Sequence, residues 1–208
     1  MSLSLRHALA AAALPFLVTG CAMQGAGVPA IDVDLTRKGP VSGVGIEGQD
    51  IVAVTDQMMR DILADPAFAN TAKRPRVIID SAYFVNESSQ PINRNLITQR
   101  LLVNLNRAAR SRMQFVNRAQ SAMVEQERAL KRAGVTDTGT TGMTKATLGA
   151  DYRLSGRIGS LDSRSAQTGM IQRYTQIAFE LTDLESGELI WSGLYEFSRA
   201  ATDDIVYR

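Results

Sequence analysis

The chain has 208 residues, 45% of them hydrophobic and 21% charged, which suits one domain with an ordinary core plus accessory segments. Its formal net charge is only +2, and so near a balance argues against a dedicated nucleic-acid binder. Cys21 is the only cysteine and His7 the only histidine, so no internal disulfide can form. A chain cut after residue 20 would also lack the commonest general base and metal ligand. No Walker A pattern, G-x-S-x-G elbow or H-E-x-x-H helix is present. These counts point to a non-enzymatic protein with no cofactor, no metal and no small-molecule substrate.

Residues 1–20 have the three parts of a secretory signal: a basic start at Arg6 and His7, an apolar stretch from Ala8 to Val18 broken by Pro15, and a small-residue end. The apolar run falls well short of the roughly 20 residues a membrane-spanning helix needs. Val18-Thr19-Gly20-Cys21 reads as a lipobox, in which cleavage leaves Cys21 as the acylated N-terminus. Two or three acyl chains anchor stably, since each buried CH₂ contributes about 0.8 kcal/mol and a single chain holds only marginally. Ala22, where an aspartate would signal retention, resembles lipoproteins sorted to the outer membrane. The expected location is therefore the periplasmic side of that membrane, lipid-anchored.

Residues 22–48 lack periodicity and are rich in glycine and proline, so residues 21–48 read as a lipidated flexible tether. Gly43-Val44-Gly45-Ile46-Glu47-Gly48 spells G-x-G-x-x-G, but no strand precedes it, so a dinucleotide site is not expected. The stretch reads as linker ending at a helix start.

The globular part is expected over 49–208. Asp50 is a candidate N-cap for a helix to Phe68, with Ile51, Val54, Met58 and Ile62 on one stripe and Asp56, Arg60 and Asp61 facing away. The run Arg76–Asp80, continuing toward Val85, reads as a central strand buried on both faces. A polar loop, Asn86–Pro91, leads to a helix from Ile92 to Arg112 with Ile97, Leu101, Leu105 and Ala108 inward. A short strand at Met113–Val116 and a third helix, Ala122–Ala133, follow. Thr136–Thr144 is small and polar, and a short helix is expected over Lys145–Gly149.

From Tyr152 the period changes from 3.6 to 2. Tyr152, Leu154, Gly156 and Ile158 alternate with polar neighbours up to a loop near Asp162–Gly169; Ile177, Phe179 and Leu181 do the same. Asp183–Glu188 reads as a hairpin turn, followed by alternating Leu189, Trp191, Tyr195 and Phe197. The expected class is α/β: a three-layer-like sandwich of a mixed, mainly antiparallel sheet flanked by helices.

Two stretches carry a resemblance: Gly149-Ala150-Asp151-Tyr152-Arg153-Leu154-Ser155-Gly156-Arg157-Ile158, and Phe179-Glu180-Leu181-Thr182-Asp183-Leu184-Glu185-Ser186-Gly187-Glu188-Leu189-Ile190-Trp191-Ser192-Gly193. Both are similar to the LpoB family, and Gly45–Ile51 resembles the start of that family's first helix. The resemblance implies an outer-membrane lipoprotein that docks on a regulatory domain of a class A penicillin-binding protein and raises its glycosyltransferase and transpeptidase activity. One departure is the tether, which is short here where that family has a long, proline-rich one. The alternative is a structural or assembly lipoprotein of an envelope secretion or organelle complex, as in the CsgG-like group.

Among candidate sites, Cys21 is the lipid-attachment residue. Arg153 and Arg157 form a positive patch for an acidic partner if helices leave their sheet face uncovered. Arg100, Arg107 and Arg110 make a basic helix face, read as solvated. The pairs Glu125/Glu127 and Asp203/Asp204 read as surface carboxylates, and Trp191 as core.

Overall fold

The structure, a computed structural model, describes residues 29–68, 73–142, 145–202 and 205–206. The leader, the lipobox with Cys21, and the Asp203/Asp204 pair lie outside the described residues. The elements run α1 (Gly48–Ala64), β1 (Arg76–Glu87), α2 (Arg94–Ala108), β2 (Gln114–Val116), α3 (Ser121–Arg132), β3 (Tyr152–Arg164), β4 (Ile171–Asp183) and β5 (Leu189–Ala201). The sheet order is β2-β1-β3-β4-β5. Short parallel pairings join β1 to β2 and to β3, while β3-β4 and β4-β5 are long antiparallel pairings. This is the expected mixed α/β sheet with helices.

The core lies on one face of that sheet. Val77, Ile79, Leu154, Ile158, Ile177, Phe179, Leu181 and Trp191 point into it from the strands, and Met58, Ile62, Ile97, Leu101 and Leu105 close it from α1 and α2. Burying each such side chain contributes about 1.5–3 kcal/mol. In the first half of β1, Val77, Ile78 and Ile79 are all buried, as the expectation of two covered faces required. α3 differs from the other two helices in that it buries no residue.

Several boundaries move for tertiary reasons. α1 starts two residues before Asp50 because Glu47 is the N-cap: its backbone N–H donates to Asp50 Oδ2 at 2.7 Å while its own carboxylate accepts from the Asp50 amide. Asp50 Oδ2 also accepts from Arg199 Nη1 at 2.7 Å and Oδ1 from Nη2 at 2.5 Å, fastening the end of β5 to the start of α1. Asp65 is extended, as a residue before proline prefers, so α1 stops at Ala64 and a 3₁₀ turn at Pro66–Phe68 tucks Phe68 into the core. In α2 the inward residue after Leu105 is Ala109, not Ala108. β3 runs on to Arg164, well into the stretch expected as loop.

Residues 145–149 form no helix; they are an irregular strap held by Arg118 Nη2 on the Leu148 carbonyl (2.6 Å) and Arg128 Nη1 on Thr147 Oγ1 (2.7 Å). The tether boundary at 48 is also displaced. The compact unit runs from Val33 to Arg208, and Val44 and Ile46 are 0% and 6% exposed. Gln90 holds Ile46 by both its amide and its carbonyl, at 2.7 and 2.9 Å. The glycine-rich stretch therefore ends inside the body, at a helix start, with its amides facing protein groups.

The hairpin at 183–188 forms as read: Asp183 Oδ1 accepts from the amides of Glu185 and Ser186 at 2.7 and 2.8 Å, and Gly187 takes φ 76°. At its far side the β4-β5 register slips between Leu181 and Thr182, and this leaves Leu189 exposed while Trp191 is buried opposite Leu181.

Phe179 is the aromatic centre of the core. It meets Phe84 and Tyr195 edge to face, with centroids 6.1 and 5.8 Å apart. Tyr195 in turn donates to Asp61 Oδ2 at 2.7 Å, so Asp61, expected to face away, ties α1 to β5. Phe84 fits only because Gly156 is opposite it: a Cβ at Gly156 would sit 2.6 Å from the Phe84 ring.

Gly156→Ala is expected to lower stability by about 1–3 kcal/mol through overpacking. Gly159→Ala, where a Cβ meets nothing, should be close to neutral. Urea unfolding of the two variants measures the difference. A second expectation concerns alkaline pH. Burial, and then the hydrogen bond to Asp61, hold the Tyr195 phenol well above its usual range. A raised folded-state value means the unfolded chain loses this proton first, so stability is flat below about pH 10 and falls above it. Tyr195→Phe should weaken that fall in pH-resolved unfolding.

Candidate partner-docking face

The sheet face opposite the core carries the functional candidates. Along β3 the odd-numbered residues Arg153, Ser155 and Arg157 point there, paired across β4 with Thr182, Glu180 and Ala178. Exposed Tyr83, Val85, Leu161 and Leu194 share this side. α1 and α2 cover the other face. On this one Ile78, the neighbour of Arg153 on β1, is buried and Arg153 is half-buried, whereas Arg157 is exposed, so the face is open toward Arg157 and partly covered at Arg153.

What brings these groups together is an irregularity in β1. Ile79 pairs with Leu154 and Phe84 with Gly156, so β1 uses five steps where β3 uses two. Asp80 closes the extra loop by accepting from the Ala82 amide at 3.0 Å. The bulge drops Phe84 into the core and lifts Tyr83 onto the opposite face. There the Arg153 guanidinium carbon lies 3.8 Å from the Tyr83 ring centroid, a stacked cation–π pair. Arg153 Nε is buried and makes no hydrogen bond among the described residues.

Arg157 differs. It is ion-paired with Glu87 at the end of β1. Tyr83, Val85, Arg157, Ala178 and Glu180 line a concavity of about 390 Å³ between them. The face is thus an aromatic-aliphatic surface carrying one stacked arginine and one paired arginine, with Glu180 at its margin. It is less purely positive than Arg153 and Arg157 alone suggested. Tyr83 is the member sequence reading missed. Its signal was the polar break Asp80-Ser81-Ala82 inside an otherwise apolar strand.

The other candidates are placed elsewhere. Arg100 donates to Thr55 Oγ1 and Asp56 Oδ1, both at 2.9 Å, so it joins α2 to α1 and is not part of a free basic face; Arg107 and Arg110 are exposed. Glu125 is paired with Arg132 at 2.6 Å, whose hydrogen bond holds its carboxyl below the usual range, and Glu127 lies 3.7 Å from Lys131. Trp191 is core, packed beside Gly193. Among the described residues no three His, Cys, Asp or Glu side chains converge as a metal site would need.

Residues 50–197 match the family described as the peptidoglycan-synthase activator LpoB. The chain belongs to that family. No curated protein sequence matches it. Among solved structures it is similar to the LpoB C-terminal domain from Escherichia coli, at 20% identity and TM-score 0.43 over 72% of this chain and 99% of that one. The corresponding domain from Salmonella enterica matches at 17% identity and TM-score 0.43, over 71% of this chain and 98% of that one. Lipoprotein GNA1162 from Neisseria meningitidis matches at 16% identity and TM-score 0.31, over 64% and 88%. The LpoB-family region takes in Tyr83, Arg153 and Arg157 but neither Cys21 nor the residues up to Gln49.

The stacking can be measured directly. A double-mutant cycle of Tyr83→Leu and Arg153→Met is expected to give a coupling of about 0.5–1 kcal/mol in urea unfolding. Zero coupling would mean the two side chains act independently in solution.

Proposed function

We propose that this protein is a lipid-anchored binding module on the periplasmic side of the outer membrane that activates a bifunctional peptidoglycan synthase, a class A penicillin-binding protein. The observation that carries the reading is family membership across residues 50–197. The lipobox at Val18–Cys21 supports the anchor, with Cys21 as the acylated residue. The alternative, a structural lipoprotein of a secretion complex, has no observation of its own.

In this reading the synthase's regulatory domain docks on the open sheet face. Tyr83 and Val85 supply apolar area at low conformational cost, and the Tyr83 ring holds Arg153 in one orientation before contact. A partner carboxylate would find the Arg153 guanidinium already placed, and could compete with Glu87 for Arg157. The body would work as an allosteric weight on the synthase, contributing surface and no chemistry.

The test uses the full chain in detergent, titrated against each class A synthase of the same cell, with glycan-strand polymerisation followed in parallel. Saturable binding and a several-fold rise in polymerisation are expected. Arg153→Glu combined with Tyr83→Ala should weaken binding at least tenfold and reduce its salt dependence. Failure to bind any of the synthases would overturn the reading, whereas tight binding by the double variant would move the docking face elsewhere and leave the activity standing.

A further inference from the structure

The helix that buries nothing stands over a broad cavity. About 820 Å³ opens between α3, the end of β2 and the 145–148 strap. Phe115, Val116, Met123, Val124, Ala146 and Leu148 make its walls apolar. Met123 and Val124 are 60% and 42% exposed, an unusual cost for two neighbouring apolar side chains on a short helix. The volume falls in the range of small-molecule sites, about 300–1,000 Å³.

The charged residues lining this cavity are all of one sign. Arg118, Arg128, Lys131 and Lys145 line it, and no carboxylate does. The acids of α3 stand on its outer side, where Glu125 meets Arg128 at 3.4 Å and Arg132 at 2.6 Å, and Glu127 meets Lys131. Arg128 Nε, the atom that faces Glu125, is buried without a hydrogen bond, while Nη1 donates to Thr147 Oγ1 at the cavity wall. An apolar interior under a cationic rim specifies a ligand with two unlike ends.

We propose that this cavity binds an amphiphilic anion, a single apolar chain bearing a carboxylate or phosphate head. The tail would lie against Val116, Met123, Val124 and Leu148, removing that surface from water. The head would sit among Arg128, Lys131 and Lys145, where charge-assisted hydrogen bonds are available. This site is distinct from the sheet face that carries Tyr83 and Arg153, and the inference does not rest on the synthase reading.

Calorimetric titration of the full chain carrying Cys21→Ser, which removes any acyl chain of its own, decides the matter. The probes are dodecanoate and dodecyl phosphate below their micellar concentrations, with dodecanol for the tail alone and butyrate for the head alone. Both anions should bind saturably at one site, dodecanol at least tenfold more weakly, and butyrate not detectably. Val124→Glu should weaken dodecanoate at least tenfold and Lys145→Glu several-fold, while Val103→Glu on exposed α2 changes nothing. Lys145 is exposed on the strap, so its variant still decides if Val124→Glu does not fold. The proposal is overturned if dodecanoate shows no saturable binding, if dodecanol binds as well, if neither cavity variant weakens it, or if only an acidic amphipathic peptide binds.

Discussion

A single irregularity in β1 governs both faces of this sheet. Between Ile79 and Phe84 the strand takes five steps against two on β3. A regular strand pairing would place Tyr83 and Phe84 at different heights and reverse which of them points inward, because side chains alternate strictly along a pleat. With the bulge, Phe84 reaches the Phe179–Tyr195 cluster over the bare Cα of Gly156, and Tyr83 reaches Arg153 on the outside. Core packing and the exposed aromatic-arginine pair are therefore not independent features. Any change that regularises β1 would unmake both.

Arginine does three different jobs in the body, and the geometry of its contacts separates them. Arg199 and Arg173 are fasteners: one holds Asp50 across 149 residues, the other takes both oxygens of Asp162 at 2.6 and 2.7 Å. Asp162 is consequently held below its usual carboxyl range, chiefly by the hydrogen bond from Arg173. Arg100 is a weaker cross-brace between two helices, with both ends about one-third exposed. Arg153 belongs to neither group, since an aromatic ring and not a carboxylate positions it. Among the described residues no carboxylate pairs with this guanidinium, and its Nε is buried without a hydrogen bond.

The parts of the fold legible in the sequence are those set by local periodicity. The meander from Tyr152 alternates with period 2, and the Asp183–Glu188 turn carries its own Asx hydrogen bonds and a glycine at positive φ, so each is specified within a few residues. Arg153 and Arg157 were placed on one face by the same alternation. Apart from the end of α1, where Pro66 acts locally, the misreadings depend on distant residues. Asp50 looks like an N-cap until Arg199 claims it from the other end of the chain. Val44 and Ile46 look like linker until Gln90 and the core take them in. Lys145–Gly149 reads as a short helix, but Arg118 and Arg128 hold Leu148 and Thr147 from outside the segment. Tyr83 is harder to read as a site residue because the mark of its bulge, the break at Asp80-Ser81-Ala82, is a single interruption and not a repeating period.

The displaced boundary has a mechanical consequence for an anchored protein. If Cys21 carries acyl chains as proposed, the chain between it and the compact unit that begins at Val33 is residues 22–32 and not 22–48. At about 3.3–3.6 Å per residue that segment spans at most roughly 40 Å, where the longer count would allow roughly 90 Å. A leash so short raises the effective concentration of the body near its own bilayer and lowers it sharply beyond the reach. A partner rooted in another membrane would have to bring its regulatory domain to this one.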